Sequence, residues 1–202
     1  MESDAWTTAN KWESEWWGDC LNTLNEETKQ IVYAKKMGLK VYTNHKSQTV
    51  IDKEEKNVLD IGGGPCSMLL KCTHTNGAVI DPCKFPYWIH HRYEIAGIEV
   101  YIEKAEDDSL CYRHIYDECW IYNVLQHVDS VEKIIINALN CSKIIRIFEW
   151  ICTEKDIGHP NILTKQLLDS LLNGHGKTEF INQGGCNGMC YYGIFKGKHY
   201  RE

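Results

Sequence analysis

From Asn57 onward the chain alternates short apolar runs with stretches of helical periodicity. The runs Val58 to Ile61, Gly77 to Ile80, Ile98 to Ile102, Glu118 to Tyr122 and Ile144 to Glu149 are apolar at successive rather than alternate positions. That pattern fits strands covered on both faces, as in a parallel sheet joined by crossover helices. Helices are expected between them, beginning near Ser67, Tyr87, Val131 and Thr164. Thr164 is an N-cap candidate because it precedes Leu167, Leu168, Leu171 and Leu172. Thr178 to Phe180 and Tyr191 to Phe195 read as two further strands around the Gly-rich stretch NQGGCNGMC. The element order predicts an α/β fold with a mostly parallel sheet, an antiparallel terminal strand and helices on both faces.

The first forty residues differ in being rich in Trp, Glu and Lys. Ile31, Ala34 and Met37 recur at helical spacing, Glu26 and Glu27 sit early, Lys35 and Lys36 sit late, and Gly38 is placed to cap the end. The stretch TNHKSQTVIDKEEK that follows is polar and reads as a connecting loop. The expected organisation is a helical extension or lid over residues 1–50 and one main domain over residues 51–202. A chain of 202 residues with 43% hydrophobic content suits one sizeable core. In the extension, Trp16 and Trp17 offer rigid aromatic area to a ligand, and Glu13 and Glu15 could meet a polar or cationic one. The alternative is that these tryptophans dock the helix onto the core.

A net charge of −6 and a pI of about 5.8 argue against a broad basic surface for nucleic acid. No stretch reaches the roughly 20 apolar residues of a membrane helix, and Met1 to Asn10 lacks a signal-peptide pattern, so a cytoplasmic protein without membrane insertion is expected. Ten cysteines are scattered, with only Cys186 and Cys190 closely paired, so free thiols and no metal are expected.

The segment NVLDIGGGPCSMLLK, residues 57–71, joins an apolar strand, an acid, a Gly-rich turn and an expected helix. Gly62, Gly63 and Gly64 let the backbone turn tightly and approach a ligand without a Cβ in the way, and a helix N-terminus would add free N–H groups. Asp60, two residues before Gly62, suits a positively charged or hydroxyl-bearing ligand at the mouth of this cradle better than a pyrophosphate. Asp81 ends the next strand, in VIDP, where a carboxylate can take hydrogen bonds from ribose hydroxyls. His127 and His159 follow the fourth and fifth strands, at the strand ends where ligands collect in open α/β sheets, and are candidate general bases. Glu149 ends an apolar strand there and is a candidate acceptor contact.

In ordered succession these segments resemble the class I S-adenosylmethionine (SAM)-dependent methyltransferase family over residues 57–195. VLDIGGG looks like its first motif and VIDP, with Asp81 and Pro82, its second. YIEKAEDD is similar to the third, which would set Ala105 and Glu106 near the adenine. YDECWIYNVLQHV is similar to the fourth, which would set Asn123 and Val124 beside the methionine portion. RIFEW and the segment after it look like the fifth. The chain departs from the pattern at Cys66, where the first motif usually has a further glycine, and at Lys104, where an acid or amide is common. The resemblance implies a Rossmann-like domain, SAM as methyl donor, S-adenosylhomocysteine as product, and transfer to an O or N nucleophile. A small-molecule acceptor is preferred; nucleic-acid and protein acceptors stay open, as does the oligomeric state. The competing readings are a SAM-binding subunit without catalysis and an NAD(P)-dependent oxidoreductase.

Overall fold

The computed structural model describes residues 4–73, 76–107 and 114–201; Asp108, the last residue of the third motif, lies outside them. A seven-stranded sheet forms from β3 (Val58–Ile61), β4 (Gly77–Ile80), β5 (Glu99–Tyr101), β6 (Tyr116–Tyr122), β7 (Ser142–Trp150), β8 (Lys177–Gln183) and β9 (Cys186–Lys196). Its order is β5-β4-β3-β6-β7-β9-β8. The first five strands in that order are parallel, and β9 runs antiparallel to both β7 and β8. Chain order therefore reverses between β3 and β6, opening a crevice at their carboxyl ends.

Both faces of the sheet are covered, as the unbroken apolar runs require. On one face Leu59, Ile61, Cys119, Ile121, Ile145 and Ile147 pack with α4 (Val131–Cys141) and α5 (Lys165–Leu171). On the other, Val58, Val79, Trp120, Tyr122 and Phe148 pack with α2 (Leu24–Lys36) and α3 (Tyr87–Ile95). Ser130 and Thr164 cap α4 and α5 by accepting the N–H groups of Lys133 and Leu167. No helix among the described residues is long and apolar enough to cross a membrane.

Four expectations are corrected. The helix expected at Ser67 is replaced by two short 3₁₀ turns, Gly64–Cys66 and Met68–Lys71, separated by Ser67 in an extended conformation. The cause is competition for the amides: Tyr93 and Tyr122 take the Ser67 and Met68 N–H groups through their hydroxyls. The polar stretch after α2 is a hairpin, β1 (Lys40–Thr43) with β2 (Thr49–Asp52), so residue 50 lies within a strand rather than at a boundary. Asn44 turns its chain by accepting the Lys46 and Gln48 N–H groups on its side-chain oxygen. The Gly-rich stretch between the last strands is mostly strand: Gly184 and Gly185, both at positive φ, make the turn, and Cys186 already belongs to β9. The extension holds two helices, with α1 (Asp4–Trp17) preceding α2 and carrying the tryptophan cluster.

Candidate functional site

The loops after β3, β4 and β6 meet at the crevice where strand order reverses. The Gly62 N–H donates to the Ile80 carbonyl and the Asn123 N–H to that of Phe148, so the loops after β3 and β6 start as extensions of the sheet. Gly62 has φ +70, and a Cβ there would lie 2.1 Å from Val124 Cγ2. The bare glycine thus lets the two loops close on each other. Gly64, also at positive φ, would direct a Cβ into open space.

Beneath the cradle Asp60 is wholly buried. One carboxylate oxygen accepts the Ser67 and Tyr122 hydroxyls, while the other has no partner. Burial raises its pKa to about 7. This corrects the expectation of an acid at the cradle's mouth: Asp60 braces the turn from below. Asp81 accepts the Gly64 and Cys83 N–H groups, one on each oxygen, and is raised to about 7 by burial and by the nearby Glu13 carboxylate. Glu149, expected to contact an acceptor, is also fully buried and lines neither cavity. One of its oxygens accepts the Val124 and Leu125 N–H groups, and burial raises its pKa to about 8. It is a brace behind the loop after β6, whose Val124 and Leu125 amides it holds.

Two cavities flank this junction. A narrow slot of about 50 Å³ is lined by Ile61, Ile80, Asp81, Pro82, Ala105, Glu106, Val124 and Val128, and by Trp6, Asn10 and Glu13 of α1. Glu106 is steadied by accepting the Asp129 and Ser130 N–H groups at the start of α4. Lys104, the departure from the third motif, stacks its ammonium 3.4 Å from the Trp6 ring centroid. A larger cavity of about 910 Å³ lies between α1, α2 and the loops after β6, β7 and β8. Trp16 and Trp17 line it, joined by Trp12 and Trp150. Trp12 and Trp16 stack with centroids 5.6 Å apart. Trp12 lies four residues before Trp16, a helical spacing visible in the sequence. Glu15 is exposed and lines neither cavity.

Glu13, Gly62, Asn123 and His127 line both cavities. The Nδ1 atom of His127 lies 2.7 Å from the Gly158 carbonyl oxygen, which can only accept, so Nδ1 carries the proton and Nε2 keeps its lone pair. Burial and the neighbouring His159 lower its pKa to about 4, so the ring is neutral near pH 7. His159 stands beside it, ring centroids 4.6 Å apart, and bonds Asp156 at 2.9 Å. Both histidines thus come together at the large cavity.

The cradle does not fit a pyrophosphate. Its Gly64, Ser67 and Met68 amides are committed to Asp81, Tyr93 and Tyr122. At its mouth stand Asp81 and Glu13, and no lysine or arginine pairs with either among the described residues; His127 lies 3.8 Å from Glu13. Buried carboxylates without a counter-charge suit a cationic, hydroxyl-bearing ligand. No group of three metal-ligating side chains occurs among the described residues.

No family model matches the sequence, and no curated protein matches it. Solved structures do. A 1,6-didemethyltoxoflavin-N1-methyltransferase from Burkholderia thailandensis, with bound 1,6-didemethyltoxoflavin and S-adenosylhomocysteine, aligns at TM-score 0.58 and 12% identity over 96% of this chain and 88% of its own. The N-methyltransferase NodS from Bradyrhizobium japonicum, in complex with S-adenosylhomocysteine, aligns at TM-score 0.55 and 12% identity over 98% and 100%. An O-methyltransferase family protein from Burkholderia thailandensis aligns at TM-score 0.54 and 12% identity over 85% of this chain, which spans only 57% of that protein's length. The chain has the class I methyltransferase fold.

Proposed function

We propose that the protein is a SAM-dependent methyltransferase acting on an O or N nucleophile of a small molecule. The observation that carries this reading is the meeting of two cavities at the strand-order reversal, sharing Glu13, Gly62, Asn123 and His127. The slot suits a nucleoside, with Asp81 toward the ribose and Pro82, Ala105 and Glu106 along the base. Asn123 and Val124 would flank the methionine portion, whose ammonium and sulfonium suit the uncompensated carboxylates. SAM supplies a methyl carbon on a sulfonium, and the electron pair of the broken S–C bond stays on sulfur. The large cavity lies within the roughly 300–1,000 Å³ usual for small-molecule sites.

The chain's own work is alignment and proton handling. Holding donor and acceptor in one orientation contributes several kcal/mol of barrier reduction, on the order of 7 kcal/mol in favourable cases. His127 Nε2 can accept a proton from the acceptor, with His159 and Asp156 leading from it toward the surface. The slot at about 50 Å³ is too tight for a nucleoside while Trp6 and Asn10 cover it. We therefore read α1 as a lid that lifts to admit the donor, and the free thiols of the described cysteines suit a cytoplasmic setting.

Fold alone does not fix activity. The test is calorimetric titration with SAM, S-adenosylhomocysteine, NAD⁺ and NADP⁺. Binding of the first two and not the last two is expected. Binding of the nicotinamide nucleotides alone would replace this reading with an oxidoreductase. SAM binding with no product across acceptors would favour a non-catalytic subunit.

A further inference from the structure

The large cavity combines two chemistries. Its aromatic walls are Trp12, Trp16, Trp17 and Trp150, and its carboxylates are Glu13, Glu26, Glu154 and Asp156. The lysine of the lining, Lys29, already lies 3.4 Å from Glu26. Asp156 is held by His159 and by the Gly158 and His159 N–H groups. Glu13, set between the two cavities on α1, faces the acceptor side with no lysine or arginine partner among the described residues. His127, its pKa lowered by burial and by His159, adds no positive charge near pH 7, and His159 is paired with Asp156. Aromatic faces and carboxylates both attract cations, and both disfavour anions.

Resting on the methyltransferase reading above, we propose that the acceptor is a cationic amine, anchored by Glu13 and bedded on the tryptophan faces. An ammonium enters the cavity and hydrogen-bonds to the Glu13 carboxylate. For an amine it is this carboxylate, rather than His127, that takes the one N–H proton, which frees the nitrogen lone pair. The lone pair forms the new N–C bond while the S–C pair remains on sulfur, and the product leaves as an N-methylammonium. Glu13 returns its proton to water. Burial raises the Glu13 pKa, which favours taking up the proton. An alcohol or a carboxylic acid would find no matching charge in this lining.

The test uses matched amine and alcohol pairs: tryptamine with tryptophol, phenethylamine with 2-phenylethanol, and benzylamine with benzyl alcohol. Each is titrated calorimetrically into the full chain saturated with S-adenosylhomocysteine, so that no turnover occurs. At least one amine is expected to bind about 10–100-fold more tightly than its alcohol, the range of a charge-assisted hydrogen bond. Glu13→Gln should erase that preference, and Trp16→Ala should weaken the amine more than the alcohol. If no amine binds better than its alcohol, or if Glu13→Gln leaves the preference intact, the assignment is overturned while the methyltransferase reading stands. Failure of S-adenosylhomocysteine to bind would instead overturn the reading on which it rests.

Discussion

Glu149 shows how one side chain can be conspicuous in the sequence for the wrong reason. An acid at the end of an apolar strand invites a role in ligand contact, but Glu149 is fully buried behind the loop after β6. There it holds two loop amides with one oxygen and leaves the other unpartnered. Its pKa of about 8, against an ordinary 4.5, means that folding favours the protonated form. Its contribution to stability is therefore full below about pH 4.5 and is lost as the pH rises toward about 8, at up to about 1.4 kcal/mol per pH unit. Asp60 and Asp81, each raised to about 7, act in the same direction. Glu149→Gln keeps an oxygen for both amides and removes the ionisation. The ligand-free variant should melt higher than the parent at pH 8 and about equally at pH 4.5, as read by thermal unfolding across that range.

At the scale of elements, the cradle depends on two loops approaching without a side chain between them. In Gly62→Ala the new Cβ would sit inside the Val124 side chain, on a backbone at φ +70. Overpacking alone costs typically about 1–3 kcal/mol, and the left-handed conformation adds about 1–2 kcal/mol. Urea unfolding should show a loss of that order, and titration should show weakened SAM binding. Val124→Ala in the same chain removes the 2.1 Å contact but leaves the residue-124 Cβ 2.8 Å away and the strained φ in place, so the double variant should recover only part of the loss. Full additivity of the two single effects would count against the contact.

Over the whole molecule, one buried ion pair ties the N-terminal segment to the sheet. Arg146 on β7 forks onto Glu118 on β6 through Nε and Nη2, at 2.6 and 3.0 Å, and its Nη1 donates to the Met37 carbonyl at 2.8 Å. That last bond fixes the end of α2, and with it the helix that forms one wall of the large cavity. Arg146→Met would leave the buried Glu118 carboxylate with Lys56, 3.0 Å from Oε1, and the Trp120 indole as its remaining partners, so the loss should stay below the about 3–5 kcal/mol of a buried carboxylate left unpaired. Arg146→Lys keeps the charge but loses the fork, so guanidinium unfolding should show it less destabilised than the methionine variant.

How far the sequence reached depends on whether a signal is local. Successive apolar positions in Val58 to Ile61, Gly77 to Ile80 and Ile144 to Glu149 mark strands wherever the chain goes, since only a doubly covered sheet removes such runs from water. Asp81 and the three glycines of the cradle were legible for the same reason: their order relative to the strands places them at the crevice. The helix expected after Gly64 was not to be had from local pattern. Its amides are claimed by the hydroxyls of Tyr93 and Tyr122, which come from 26 and 54 residues further along the chain. The same holds for the burial of Asp60 and Glu149, and for the convergence of Trp12, Glu13, His127 and His159 on one cavity. Sequence determined which residues could form strands, turns and caps, because those choices are made by neighbours in the chain. Tertiary structure alone decided which carboxylates line a cavity and which brace a loop, because burial and hydrogen-bond competition are set by groups that meet only when the sheet closes.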